Sequence, residues 1–573
     1  MTRALRSTAL AITLFFLLGP ASQAAPQAKP RLIVLISIDQ FRADYQTRFE
    51  DLYLPAATQA GPGGFRYLME RGAYHTDAHH DHFPLYTGPG HSVHFTGAPP
   101  YKSGIISNDW FDRDMDSERY CVRDPKSPLV GADDPEGKLG VSPATLRVTT
   151  VGDELKMATG GQAKVWGLAF KDRAAVLMAG HLADGVLWFN DKAGTWISSR
   201  YYRKDGTLPQ WVVDWNAQKK IDARIAELGQ RWKPLLTGAQ LAEAQKRLWT
   251  PRNENVSDPS GLGKTFGTDG HPIANYKAFT TTPFGNEYVL QTARELIARE
   301  ELGKDAIADI LALNFSSNDY IGHAYGPDSA EVLDASIRTD RQLSEFFQYL
   351  DQAIPGGLAS VTIVLTADHG VAPIAAEAKA AGVPAGTFID LALQNEAEKA
   401  LKAALGDAPA GPDGKEGAWT KAMVEDNYYL DLGALQAKGV PAERAEAIVA
   451  AALRSQPGIY AAYTRTQILE GRMLDNDIAR RVARSFHPKV SGNVVIVPEP
   501  QWMPGYGSGT GTTHGSPYTY DTSVPLLMAG FGIRPGRYTE RVSTLDIAPT
   551  LSDILGILQP SGCEGRILSQ ARK

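Results

Sequence analysis

RLIVLISID, residues 31–39, runs almost wholly apolar from Leu32 to Ile38 and stops at a carboxylate, Asp39. A strand with one wet face alternates polar and apolar residues, whereas a strand covered on both faces does not, and double cover is the habit of parallel sheets flanked by helices. Ligands of such sheets bind at the C-terminal edge, where Asp39 would stand. Alone, an Asp there is equally well explained as a helix cap. The pattern recurs, however, in AKVWGLAF (163–170), followed by Lys171 and Arg173, in IADILALNF (307–315), followed by Asp319 and His323, and in VTIVLT (361–366), followed by Asp368 and His369. Residues 285–303 and 329–354 read as amphipathic helices between these runs. The expected fold is therefore α/β, a mostly parallel central sheet flanked by helices.

Around this frame the pattern changes twice. Residues 184–283 are less regular: GVLWFNDKAGTWISSRYY reads as a hairpin, residues 211–232 as a helix, and a polar stretch with Pro and Gly follows from Trp249 to His271. They are expected to form an inserted cap near the site. Trp211, Trp215, Tyr276 and Phe279 can line its entrance, with core packing the simpler role. Residues 372–472 are Ala-rich and broken by GDAPAGPDGKEG, which suggests a small inserted α+β subdomain. Core segments are then 25–183, 284–371 and 473–573, with GNVVIVPEP (492–500) and VPLLMAG (524–530) returning to the main sheet. His514 lies in a Gly-rich loop between them.

In FPLYTGPGH (83–91) a strand-like approach ends at Thr87 and a Gly-Pro-Gly turn follows. Thr is a good N-cap, Pro is tolerated in a first helical turn, and glycines let backbone N–H groups approach an anion. Asn108, 21 residues on, offers an amide that donates without adding charge. Lys171 and Arg173, two residues apart at a strand end, can reach one anion together. His75, His79, His80 and His82 look like a metal cluster, but neighbouring side chains on a strand point to opposite faces, so a polar face is the expectation.

Hydrophobic residues make up 43 % of the 573 and charged ones 21 %, ordinary proportions for a globular chain able to bury a large core. Arg3 and Arg6, an apolar run from Ala9 to Gly19 and small residues around Ala24 read as a signal peptide over residues 1–24, with an apolar stretch too short for a comfortable membrane span. Its removal takes the formal charge from −6 to −8, which argues against non-specific nucleic-acid binding. The expected protein is exported, in the periplasm by the bacterial look of its leader, without stable membrane insertion, and a monomer. Cys121 and Cys563 can pair in an oxidising compartment or stay free; spacing leaves both open.

Asp39, Asp319, His323, Asp368, His369 and His514 are oxygen and nitrogen donors of the kind zinc takes, enough for two ions with open positions. Such a pair suits hydrolysis, one ion serving the attacking oxygen and the other the leaving oxygen. The ordered motifs ISID, FPLYTGPGH, SND, KDR, NDYIGH, TADHG and TTHGS resemble the type I phosphodiesterase and nucleotide pyrophosphatase group of the alkaline phosphatase superfamily, and within it the phosphate-irrepressible alkaline phosphatases. The resemblance spans nearly all of the chain after residue 24, dense in the sheet and weak in the two insertions. It implies an alkaline phosphatase-like fold and two zinc ions, one held by Asp39, Thr87, Asp368 and His369 and the other by Asp319, His323 and His514. It also implies Thr87 as nucleophile, a phosphothreonine intermediate, and Asn108, Lys171 and Arg173 on the non-bridging oxygens. A monoester dianion profits more than a diester from two added cations, so KDR points to small-molecule phosphate monoesters with minor diesterase activity. The alternatives are a nucleotide pyrophosphatase or phosphodiesterase, and a metal- or phosphate-binding protein that no longer catalyses.

Overall fold

The computed structural model describes residues 29–133, 139–248, 270–410, 416–505 and 511–573. The expected leader (1–24) and most of the polar stretch from Trp249 to His271 lie outside the described residues. A ten-stranded sheet runs through the centre. Its middle consists of four adjacent parallel strands, Val361–Thr366, Leu32–Ile38, Asp309–Phe315 and Val165–Leu168, in that spatial order. Leu32 lies level with both Asp309 and Val361, so the strands end together.

Leu32, Val34, Ile36 and Ile38 pack into one large apolar cluster, and Ile33 and Leu35 into another on the opposite face. That double cover is why these strands lack polar alternation. The helices Phe284–Arg299 and Ala330–Ala353 contribute Leu296, Leu343 and Phe347 to the first cluster, and Ile547–Leu555 contributes Leu551 to the second.

The insertions depart from expectation in two places. The hairpin Gly185–Asn190 and Thr195–Ser199 is not part of a separate cap: it extends the central sheet beside Val165–Leu168. An apolar run with a tight turn marks a hairpin but not the edge it joins. Likewise Val494–Pro498, expected in the main sheet, pairs with Asn427–Leu430 and Ile459–Thr464 in a separate four-stranded sheet completed by Thr420–Val424. The helices Asp390–Leu405 and Ala442–Arg454 cover this small sheet with Leu393, Leu401, Val449 and Leu453. The α+β subdomain therefore takes its central strand from beyond residue 472. Trp215 and Phe279 are buried in the main core, with Trp211 and Tyr276 packed against it. Cys121 and Cys563 are both free thiols.

Candidate active site

The four central strands end in the predicted charged residues. Asp39 directly follows Leu32–Ile38, Asp368 and His369 follow Val361–Thr366, and Lys171 and Arg173 follow Val165–Leu168. Asp319 and His323 sit one turn apart on the helix Ser317–Tyr325, which starts just after Asp309–Phe315. His514 comes from a loop, its Nδ1 bonded to the Leu85 carbonyl at 2.7 Å. All converge on the start of the helix Thr87–Thr96, every residue of which is buried.

Thr87 does not cap this helix. It is the first helical residue, Tyr86 occupies the cap position in an extended conformation, and no side chain of the cap accepts a bond. The Gly88 N–H donates instead to Asn108 Oδ1 at 2.8 Å. That bond uses the amide oxygen of Asn108 and leaves its NH2 group for another acceptor. The Thr87 hydroxyl oxygen is thus free of a capping role and accepts from Lys171 Nζ and Arg173 Nη2, each at 3.4 Å. Arg173 is steadied by a bond to the Tyr120 hydroxyl at 3.2 Å.

Two glycines permit the close approach of these elements. A Cβ on Gly90 would stand 2.3 Å from the Asp368 carbonyl oxygen, and one on Gly322 would stand 1.7 Å from Gln40 Oε1. Gln40, in a left-handed conformation at φ 62°, is a site residue that sequence reasoning missed. Its backbone N–H donates to Asp368 Oδ1 at 3.1 Å and its side-chain amide to Asp319 Oδ1 at 2.7 Å, so one residue braces two carboxylates.

Burial first, and then Asp368, push the Asp39 carboxyl up to about 6, while Lys171 at 2.9 Å pulls the other way. Burial would also raise Asp319 and Asp368, but His323 and Lys171 hold the first well below the usual carboxylate range, and His369 and His91 the second. Burial would lower His369, yet Asp368 outweighs it and lifts the imidazole to about 9. His514, buried beside His369, is held well below the ordinary histidine range.

The donor set fits divalent cations. Asp39 Oδ1 and Oδ2, Asp368 Oδ2 and His369 Nε2 are buried without a hydrogen bond, although His369 Nε2 stands 3.1 Å from Asp368 Oδ2 and 3.5 Å from Asp39 Oδ1. Buried acceptors collected this densely call for a shared positive partner. Two groups offer donor atoms within 4.8 Å of one another: Asp319, His369 and His514, and Asp39, His91 and Asp368. His323 completes the first neighbourhood, its Nε2 3.0 Å from Asp319 Oδ1 and its Nδ1 bonded to the Thr512 carbonyl at 2.7 Å. Nδ1 bonds of this kind fix the tautomer that leaves Nε2 as a ligand, and His514 has the same arrangement.

His91, the last residue of FPLYTGPGH, was also missed, and both of its nitrogens are committed. Nε2 accepts from Asn314 at 2.8 Å, and Nδ1 donates to the Thr87 carbonyl at 2.9 Å beside Asp368 Oδ2 at 3.2 Å. It orients Asp368 rather than offering a lone pair. Its four-residue spacing from Thr87 on one helical face was the available signal. The histidines of 75–82 are buried rather than a polar face: His79 bonds to Asp77 and Thr522, and His80 to the Ala367 carbonyl and Thr544.

A site with a helix-borne hydroxyl, clustered carboxylates and imidazoles, and two cations at the ends of parallel strands defines a hydrolase class. The family described as type I phosphodiesterase / nucleotide pyrophosphatase matches residues 33–518, and the chain belongs to it, within the alkaline phosphatase superfamily, as a phosphoric monoester hydrolase. The alkaline phosphatase PafA of Elizabethkingia meningoseptica is 34 % identical over 95 % of this chain and 94 % of that one. The crystal structure of wild-type PafA superposes with a TM-score of 0.85 at 32 % identity, covering 96 % of this chain and 100 % of that one. A Myroides odoratus protein named a calcium-transporting ATPase is 33 % identical over 95 % of each chain. Among the described residues of this chain no helix is long and apolar enough to cross a membrane.

Proposed function

We propose that this chain is an exported, periplasmic, monomeric two-zinc alkaline phosphatase that hydrolyses small-molecule phosphate monoesters of broad structure through a phosphothreonine on Thr87, with minor diesterase activity. The observation that carries this is the Thr87 hydroxyl, 1 % exposed, flanked by Lys171 and Arg173 at the start of a buried helix. The two ions, one held by Asp39, Thr87, Asp368 and His369 and the other by Asp319, His323 and His514, would supply Lewis acidity at the attacking and leaving oxygens.

The rest is done by side chains. Lys171, Arg173 and the NH2 group of Asn108 take the non-bridging oxygens of the phosphoryl group, and the Gly88–Asn108 bond keeps that amide turned toward it. Cations beside the Thr87 oxygen favour its deprotonated form, which bonds to phosphorus as the bond to the leaving oxygen breaks, and the proton given up by Thr87 ends on the departing alcohol. Water then attacks the phosphothreonine, gives one of its protons to the Thr87 oxygen as the bond from that oxygen to phosphorus breaks, and releases phosphate. A solved form of PafA carries substitutions of a threonine, an asparagine, a lysine and an arginine, the same four residue types in the same chain order, which supports the grouping of Thr87, Asn108, Lys171 and Arg173.

Monoester dianions concentrate more charge on those oxygens than diesters do, so Lys171→Ala and Arg173→Ala should each lower monoester kcat/KM by about 10²-fold and diester kcat/KM by far less. Equal losses, measured on a monoester and a diester with the same leaving group, would remove the assigned role and favour the phosphodiesterase reading that the family description also covers.

A further inference from the structure

A hairpin of two strands, Asp109–Asp112 and Ser117–Tyr120, joins two parts of the active site, since Asn108 precedes its first strand and Tyr120, which holds Arg173, ends its second. A cavity of about 540 Å³ lies against this hairpin, with Trp110, Arg113, Arg119, Arg147 and Lys489 among its walls. None of Thr87, Asn108, Lys171 and Arg173 lines it, so it is separate from the catalytic centre.

Its charge is lopsided. Arg119 is matched by Asp112 at 3.0 Å. Arg113, in contrast, donates only to neutral acceptors, the carbonyls of Lys489 and Ser491 at 3.3 and 3.0 Å and Asn493 Oδ1 at 3.3 Å, while its guanidinium stacks on Tyr429. Among the described residues neither Arg147 nor Lys489 Nζ has a carboxylate within ion-pair distance. Asp114 also lines the cavity but is exposed.

Trp110 closes one wall from within: it is 2 % exposed, and its indole Nε1 is sealed from solvent. Nearby, burial and then Arg147 and Lys489 push His487 down to about 4, as expected where cations gather without counter-charge.

We propose that this cavity is a second oxyanion site, which holds the phosphate group of a small molecule between Arg113, Arg147 and Lys489. Arginine forks and a lysine point charge are the groups that recognise tetrahedral oxyanions. The volume exceeds the needs of a bare phosphate and falls in the range of small-ligand pockets, so the walls have room for an organic substituent.

The test is calorimetric titration of the purified, metal-loaded protein with inorganic phosphate and, separately, with phenylphosphonate, which has no ester bond to cleave. The active centre is followed in parallel as competitive inhibition of monoester hydrolysis. Two sites per chain are expected. The double variant Arg147→Ala/Lys489→Ala, altered only at exposed positions, should weaken the second by at least about tenfold and leave the inhibition constant unchanged. Tighter binding of phenylphosphonate than of phosphate at the second site supports the organic-phosphate assignment. A single site in the unmodified protein, or a second site indifferent to the double variant, overturns the inference. Because this binding needs no turnover, its outcome is independent of the catalytic proposal above.

Discussion

The C-terminal edge of the central sheet and the small α+β subdomain are both buried, but for opposite ends. At the sheet edge, Asp39, Asp368 and His369 lie fully covered and crowded together, with Lys171 Nζ 2.9 Å from Asp39 Oδ2 and His369 Nε2 3.1 Å from Asp368 Oδ2. In the subdomain the interior is Leu393, Leu401, Trp419, Val449, Leu453 and Ile496, and buried polar groups such as Trp419 Nε1 and Asn493 are bonded, to the Gly406 carbonyl and to Glu446, while Asp390 Oδ1 and Glu425 Oε2 are left without a partner. One region gathers charged groups at the candidate site, and the other spends most of its burial on cohesion. The two meet where the subdomain's Asp426 accepts a bond from the hydroxyl of Tyr86, the residue before Thr87, at 3.0 Å.

The contrast fails if substitutions in the two regions have the same consequences. The largest effect is expected from Thr87→Ala, which should cut monoester kcat/KM by at least about 10³-fold while leaving the thermal midpoint almost unmoved. Leu453→Ala should do the reverse. This side chain is fully buried among the subdomain's helices, and its truncation should cost about 2–5 kcal/mol by chemical denaturation with kcat per folded molecule retained.

The smallest effect belongs to the junction. Burial pushes the Asp426 carboxyl up to about 8 despite the Tyr86 bond. The folded chain therefore keeps a proton that the unfolded chain has already lost, and stability falls as pH rises from the ordinary carboxylate range to about 8. Asp426→Asn removes this loss and preserves an acceptor for Tyr86. It should raise the thermal midpoint by about 1–3 °C at pH 9, with the gain shrinking toward pH 5 in differential scanning calorimetry. A gain that is the same at both pH values would separate Asp426 from the titration.

Much of the sheet edge was legible in the sequence because each central strand is covered on both faces. It therefore appears as an unbroken apolar run, and the first charged residue beyond it marks the edge. Asp39, Asp319, Asp368 and Lys171 all follow from that rule. Pairing partners were not legible. Val494–Pro498 is as apolar as any central strand, and nothing in its composition reveals that it joins Asn427–Leu430. The hairpin at 185–199 was recognised but detached from its sheet for the same reason. Gln40 and His91 escaped because their work depends on backbone conformation and on partners hundreds of residues away, Asp319 and Asn314 among them.

The order of strands in space also constrains how the molecule comes into being. The candidate site draws on Asp39 early in the chain and His514 late in it, and the subdomain's inner strand is supplied at Val494–Pro498. A nascent chain halted before residue 490 would possess neither a closed subdomain nor the full set of candidate site residues. Competence therefore arrives all at once, late in synthesis, and proteolytic fragments from either half should be inert even where they retain helices and strands.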